Sequence, residues 1–166
     1  MPDRLSDLLD RDCVAIRLNA GTAEDVIRRL ASKLESKGLV RSTYAQAAVD
    51  RETTYPTGLP LGLAMNIAIP HTDPVHVIKP AIALATLAEP VAFASMEDPD
   101  ETVHVGLVFL LAINDKDRQI DALQDVMTVV QSPETVERLL NADNLEDILS
   151  ALDGRPANPL EDDDDD

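Results

Sequence analysis

The chain has 166 residues, 45% of them hydrophobic but only 2% aromatic, and a formal net charge of −17. That length suits a single domain with a sizeable core, the core must be aliphatic, and the negative field argues against nucleic acid or anionic membrane as partners. No apolar run approaches the roughly 18 residues of a membrane span, no signal-peptide pattern opens the chain, and the lone cysteine, Cys13, has no internal partner, so a cytoplasmic location is expected.

Residues 1–11 are polar and read as a helical turn or an arm. Cys13 to Leu18 is the first strand candidate, with Cys13 as a small buried hydrophobe. Thr22, followed by Glu24 and Asp25, is an N-cap with acids in the first turn. Val26, Ile27, Leu30 and Leu34 then share one helical face, and Gly38 suits the residue just past the helix end. Ser42 or Thr43 caps a second helix running to about Glu52, with Arg51 near its C-terminus. Residues 55–62, broken by Pro and Gly, read as loop.

A short strand into His71 follows, then a buried strand over Ala81 to Leu87 and a short edge strand over Val91 to Phe93. Val103 to Ile113 is the longest apolar run and the expected central strand. Asp115 or Asp117 caps a helix whose apolar residues are Ile120, Leu123, Met127 and Val130. Pro133 opens another helix at its first position, with Val136, Leu139 and Leu140 as its stripe. Asn144 caps the last, which ends before Gly154. The interleaving of strands and helices predicts an α/β domain over residues 1–153, one mixed sheet flanked by helices. Residues 154–166 read as a disordered acidic tail.

The chemistry concentrates around His71. The run Ile67-Ala68-Ile69 is cut by Pro70, which cannot donate to a sheet ladder, so a strand should end there. His71 then stands at the mouth of the sheet between Pro70 and Pro74, with His76 five residues on. Two of the chain's three histidines occupy this window. There is no glycine-rich phosphate loop, nucleophile elbow or Cys-x-x-Cys pair, and nothing completes a metal-ligand set around His71, Asp73 and His76. What is left is nucleophilic chemistry at an imidazole, which is largely neutral at physiological pH and able to accept and return a phosphoryl group.

The span from Arg51-Glu52 through Tyr55-Pro56-Thr57-Gly58-Leu59 to Ile67-Ala68-Ile69-Pro70-His71 resembles the IIA domain of the sugar phosphotransferase system, fructose/mannitol superfamily (EIIA type 2). Ala88 to Val91 and Val105 to Ala112 agree as well. The Pro-Thr-Gly segment, followed by Ile-Pro-His-Thr-Asp and then His76, looks nearest to the galactitol-type branch. The similarity covers residues 5–152. It implies a mixed sheet flanked by helices and a phosphoryl carrier needing no cofactor or metal. His71 would take phosphate through Nε2 from the phosphocarrier HPr and pass it to a IIB protein, whose cysteine phosphorylates the sugar during uptake through IIC.

By the same resemblance Arg51 stands near the site. Mannitol-type members carry a second active-site histidine where Gln119 falls here. Gln119 can donate a hydrogen bond but carries no charge, and His76 takes the supporting role. Thr57 and Thr72 are further candidates, and Leu59, Leu61, Leu63 and Met65 are candidates for an apolar docking patch. The alternative is a regulatory, nitrogen-type IIA-like module that signals through phosphohistidine or by protein binding.

The six acidic residues of 161–166 account for six of the negative charges, so the body still carries −11, and arginine outnumbers lysine ten to four. A halophilic host is expected, because concentrated salt screens such a surface over a few ångströms. The melting temperature should therefore fall on dialysis into low salt, and a salt-independent value in a thermal melt would exclude this reading.

Overall fold

The computed structural model describes residues 4–62 and 65–154. A single turn of helix, α1 (Leu5–Leu8), leads directly into strand β1 (Leu9–Leu18). Helices α2 (Ala23–Ser36) and α3 (Tyr44–Thr54) follow, then two short strands, β2 (Gly58–Leu59) and β3 (Asn66–Ala68). A 3-10 turn at Pro74–His76 precedes the long strands β4 (Ala81–Ala94) and β5 (Thr102–Ala112). Helices α4 (Lys116–Val130), α5 (Pro133–Leu140) and α6 (Leu145–Leu152) complete the chain. The sheet runs β1-β4-β5-β3-β2, so β5 is central, as its apolar run predicts. Pairs β1/β4 and β3/β5 are parallel, whereas β4/β5 and β2/β3 are antiparallel. The mixed α/β architecture expected from the interleaved segments is therefore present.

Helices cover both faces, and side chains alternate along each strand to feed two cores. On one face Ala83, Ala85, Val91, Phe93, Val108 and Leu110 pack against Val26, Ile27, Leu30 and Leu34 of α2 and Tyr44 and Ala48 of α3. On the other, Ile82, Leu84, Leu107, Phe109 and Leu111 meet Val126, Val136, Leu139 and Ile148 of α4–α6. Cys13 is fully buried in the first core, where burial pushes its thiol up to about 12. Among the described residues no helix is long and apolar enough to cross a membrane.

Four helix starts carry side-chain caps, Thr22, Asp115 and Asn144 as expected and Ser132 ahead of Pro133. Thr22, Asp115, Ser132 and Asn144 each accept a bond from the backbone N–H three residues on. Gly38, at φ +73°, ends α2 in the left-handed region that glycine adopts without strain.

Five local expectations are corrected. Strand β1 begins at Leu9 rather than Cys13, because residues 10–13 bulge out opposite Ala83 and carry Asp10, Arg11 and Asp12 on an edge. Thr43 does not cap α3 with its side chain; its hydroxyl is engaged by His76. The segment 55–62 is not all loop, since Gly58 and Leu59 pair with Ala68 and Ile67. The two strands expected over 81–93 are one, joined through a bulge in which residues 87–90 oppose Gly106. Pro90 sits within that bulge, where no ladder donor is lost. In α4 the buried residues are Gln119, Ala122, Val126 and Val130, and Ile120 is 46% exposed. Counting only apolar residues misses a face that opens with a glutamine.

Gly58 illustrates a position where only glycine fits. A Cβ there would lie 2.5 Å from the Ala94 carbonyl oxygen and 2.5 Å from Val103 Cγ2. Gly58→Ala should destabilise the domain by about 1–3 kcal/mol, the usual cost of overpacking, measurable as a lowered midpoint in chemical denaturation.

Candidate functional site

The turn after β3 is defined by where its carbonyls go. Strand β3 runs parallel to β5, and the pairing continues past Ala68, because Leu111 N–H donates to the Pro70 carbonyl at 3.0 Å. The Ile69 carbonyl accepts from His71 Nδ1 at 2.8 Å. The Thr72 carbonyl accepts from Gln119 Nε2 at 2.8 Å in a buried contact. Backbone groups shut away from water need partners, and here the partners come from β5, from His71 itself and from the first turns of α4. Because the Nδ1 partner is a carbonyl, Nδ1 carries the proton and Nε2 presents its lone pair.

Two further side chains act here from α3, Arg51 directly and Glu52 by way of Thr57. Arg51 Nη1 lies 3.9 Å from Asp73 Oδ1, and its guanidinium stacks over the Tyr55 ring, 5.1 Å from the centroid. Arg51 Nε is buried without a hydrogen-bond partner among the described residues. Glu52, the next residue, points its carboxylate at Thr57. Oε2 accepts from Thr57 N–H at 2.7 Å and Oε1 from the Thr57 hydroxyl at 2.8 Å. The Thr57 hydroxyl in turn accepts from Ile69 N–H at 3.1 Å.

The electrostatics favour a neutral ring at His71. Burial depresses its pKa below the ordinary 6.5 and the Arg51 charge adds to that, opposed by the Ile69 hydrogen bond and the Asp73 charge. Burial also raises the Glu52 carboxyl, against the two bonds from Thr57 that favour its ionised form.

The remaining sequence candidates fall in distinct places. His76 closes the 3-10 turn and turns its Nδ1 to the Thr43 hydroxyl at 2.8 Å, while its carbonyl accepts from Arg41 N–H at 2.9 Å. It therefore docks at the start of α3, whereas Arg51 lies eight residues further along the chain, roughly 12 Å away along the helix axis. No hydrogen bond joins His71 to His76 among the described residues. Thr57 and Thr72 are buried, and Thr57 supports Ile69 rather than facing solvent. His104 is an exposed residue of β5 paired with Ala92.

Of the residues expected to form an apolar docking patch, Leu59 is buried and Leu61 is packed against the core, and Leu63 lies outside the described residues. The exposed apolar side chains on the segments that converge here are instead Tyr55 at 63%, Val75 at 69% and Ile120 at 46%. Sequence reasoning had assigned no role to Glu52 or Tyr55. Thr57, the partner of Glu52, is five residues away across a helix end and Pro56, where no periodicity predicts contact, whereas Tyr55 meets Arg51 at the i,i+4 spacing that closes α3.

Chemically, the site offers an imidazole nitrogen with a free lone pair, a guanidinium with an unspent donor, and a rigid frame. That set suits transfer of an anionic group whose oxygens the guanidinium meets while the ring nitrogen attacks.

Comparison with known proteins agrees with this chemistry. Residues 7–154 match the family model described as phosphoenolpyruvate-dependent sugar phosphotransferase system, EIIA 2. The galactitol-specific EIIA component of Escherichia coli K12 is 33% identical over 116 residues, spanning 70% of this chain and 76% of that protein. The crystal structure of IIA mannitol from Escherichia coli superposes with a TM-score of 0.72 at 26% identity, covering 87% of this chain and 98% of that one. A solution structure of the Escherichia coli enzyme IIA mannitol in complex with phosphorylated IIB gives a TM-score of 0.73 at 26% identity, covering 89% and 98%.

In an NMR titration of the full chain, the His71 ring should protonate below 6.5, and Arg51→Ala should move the midpoint upward by removing the nearby positive charge. Because the folded-state value is the lower one, the stability linked to neutral His71 is present above 6.5 and is lost as the pH falls through the folded-state midpoint.

Proposed function

Since the chain belongs to the phosphoenolpyruvate-dependent sugar phosphotransferase system EIIA 2 family, we propose that His71 is the residue on which it carries its phosphoryl group. The protein is a phosphotransferase component, a phosphoryl carrier of a sugar phosphotransferase system. The observation that carries the assignment to His71 is the cap on its Nδ1 by the Ile69 carbonyl, which leaves Nε2 as the acceptor.

In this reading the donor is the phosphohistidine of HPr. The Nε2 lone pair of His71 forms the new N–P bond as the N–P bond to the donor ring breaks, and those electrons return to the donor imidazole. The His71 ring keeps its Nδ1 proton and gains positive charge, which the Ile69 carbonyl stabilises. That protonated ring is then a good leaving group when a cysteine thiolate of a IIB protein attacks phosphorus and the bond to Nε2 breaks. Positioning and fixed donors supply most of what such a transfer needs, and no metal or cofactor enters either step. IIC is reached only through IIB.

Arg51 is the second functional residue in this proposal. A phosphoryl oxygen on His71 would give its buried Nε the acceptor it otherwise lacks. Gln119 and Thr57 act on the frame, the one through the Thr72 carbonyl and the other through Ile69. His76 pins the turn at Pro74–His76 to α3 through Thr43. The exposed Tyr55, Val75 and Ile120 form the rim on which HPr and IIB would seat in turn. The transported sugar is of galactitol or fructose type, following the specificities of the relatives. A regulatory, nitrogen-type role is not favoured, since the relatives include a galactitol-specific EIIA component.

With phosphoenolpyruvate, enzyme I and HPr supplied, wild type should take up labelled phosphate and His71→Ala none. Arg51→Ala should accept it about 100-fold more slowly, the scale expected for loss of one fixed donor to a developing anion. Undiminished labelling of His71→Ala would overturn the assignment.

A further inference from the structure

We propose that Glu52 is a positioning residue for phosphoryl acceptance, acting at a distance through Thr57 and Ile69 to hold His71 in the tautomer that leaves Nε2 open. This rests on the reading of His71 as the acceptor. The observations form one continuous chain of hydrogen bonds. Glu52 takes both donors of Thr57, the backbone N–H at 2.7 Å and the hydroxyl at 2.8 Å. Thr57 Oγ1 takes Ile69 N–H at 3.1 Å, and the Ile69 carbonyl takes His71 Nδ1 at 2.8 Å.

The polarity of the chain is what makes a carboxylate necessary at its end. An ionised carboxylate only accepts, so the Thr57 hydroxyl must donate its one proton to Glu52 and turn a lone pair to Ile69. An amide at position 52 brings its own donors. It can reverse the first link and compete with Ile69 N–H for the Thr57 oxygen. Ile69 then loses its anchor on one side, and its carbonyl is no longer held in line with Nδ1. The other clamps of the turn, Leu111 on Pro70 and Gln119 on Thr72, flank His71 but do not touch Ile69. Packing of the buried Ile69 side chain holds its Cα in the core, but among the described residues Thr57, backed by Glu52, is the side chain that hydrogen-bonds the backbone of the residue whose carbonyl sets the tautomer.

A carboxylate in this position is costly for the fold. Glu52 forms no ion pair among the described residues, and its burial disfavours the charged form. A group retained for stability alone would be better neutral. That contrast separates a positioning role from a structural one, because Glu52→Gln removes the buried charge while keeping the shape.

The experiment uses the full chain with Glu52→Gln, Thr57→Val and Thr57→Ser. The ¹⁵N shifts of the His71 ring report the tautomer without any phosphoryl donor, and the initial rate of labelling from phospho-HPr reports acceptance. In Glu52→Gln the His71 nitrogens should move from a clean Nδ1–H pattern toward a mixture, and the rate should fall about tenfold. Its melting temperature should stay at or above that of wild type. Thr57→Val should share the loss of rate, and Thr57→Ser, which keeps the hydroxyl, should restore it. An unmoved tautomer and rate in Glu52→Gln overturn the proposal, as does a rate loss accompanied by a melting temperature below that of wild type. Failure of the wild type itself to take label overturns the acceptor reading instead, and the tautomer measurement distinguishes the two.

Discussion

The hydrogen bond from His71 Nδ1 to the Ile69 carbonyl, 2.8 Å long, is the contact on which the site depends. It decides which ring nitrogen keeps an open lone pair, and it holds only if Ile69 and Pro70 are fixed in space. Their fixing is the work of the sheet. Strand β3 is three residues long and would be marginal alone, but it lies between central β5 and the two residues of β2. The parallel register with β5 continues to Leu111 and Pro70, so the turn inherits the rigidity of the central strand. Parallel β3 and β5 also end at the same edge of the sheet. That brings the start of α4, and with it Gln119, against the loop carrying His71.

The second constraint is electrostatic. In a chain of net charge −17, a site for an anionic group needs local relief from the general field. Arg51 supplies it, held by the Tyr55 ring on one side and Asp73 on the other. The 3.9 Å separation from Asp73 is a loose pair, worth little at an exposed position, so it leaves the guanidinium free to turn toward a stronger anion. The same positive charge works with burial to keep His71 neutral. In the proposed reaction this one residue would both keep the ring neutral and meet the group that His71 receives.

Much of this was legible in the order of residues. The Ile-Pro-His run marked the end of a strand with a histidine at its mouth, because proline cannot continue a ladder. Thr22, Asp115 and Asn144 announced helix starts, since their side chains satisfy local donors within three residues, and Pro133 announced another through its fixed φ. Other features resisted reading for reasons of the same kind. The strand at Ala81–Ala94 appeared as two because residues 87–90 leave the ladder and interrupt the alternation. Gly58 and Leu59 appeared as loop because a strand of two residues has no period. Ile120 appeared inward because apolar spacing alone cannot reveal that Gln119 occupies the buried face to reach Thr72.

The sequence by itself determined the α/β class, the central strand, the main helix boundaries and the place of His71 at a strand end, all of which follow from periodicity, capping and backbone restrictions acting within a few residues. Only the tertiary structure decided what surrounds that histidine. Gln119 meets Thr72 across 47 positions of chain, Thr57 meets Ile69 across 12, and Thr43 meets His76 across 33. Hydrogen bonds between such distant residues depend on the order and direction of strands in the sheet. That order is settled by the joint packing of two cores rather than by any local preference.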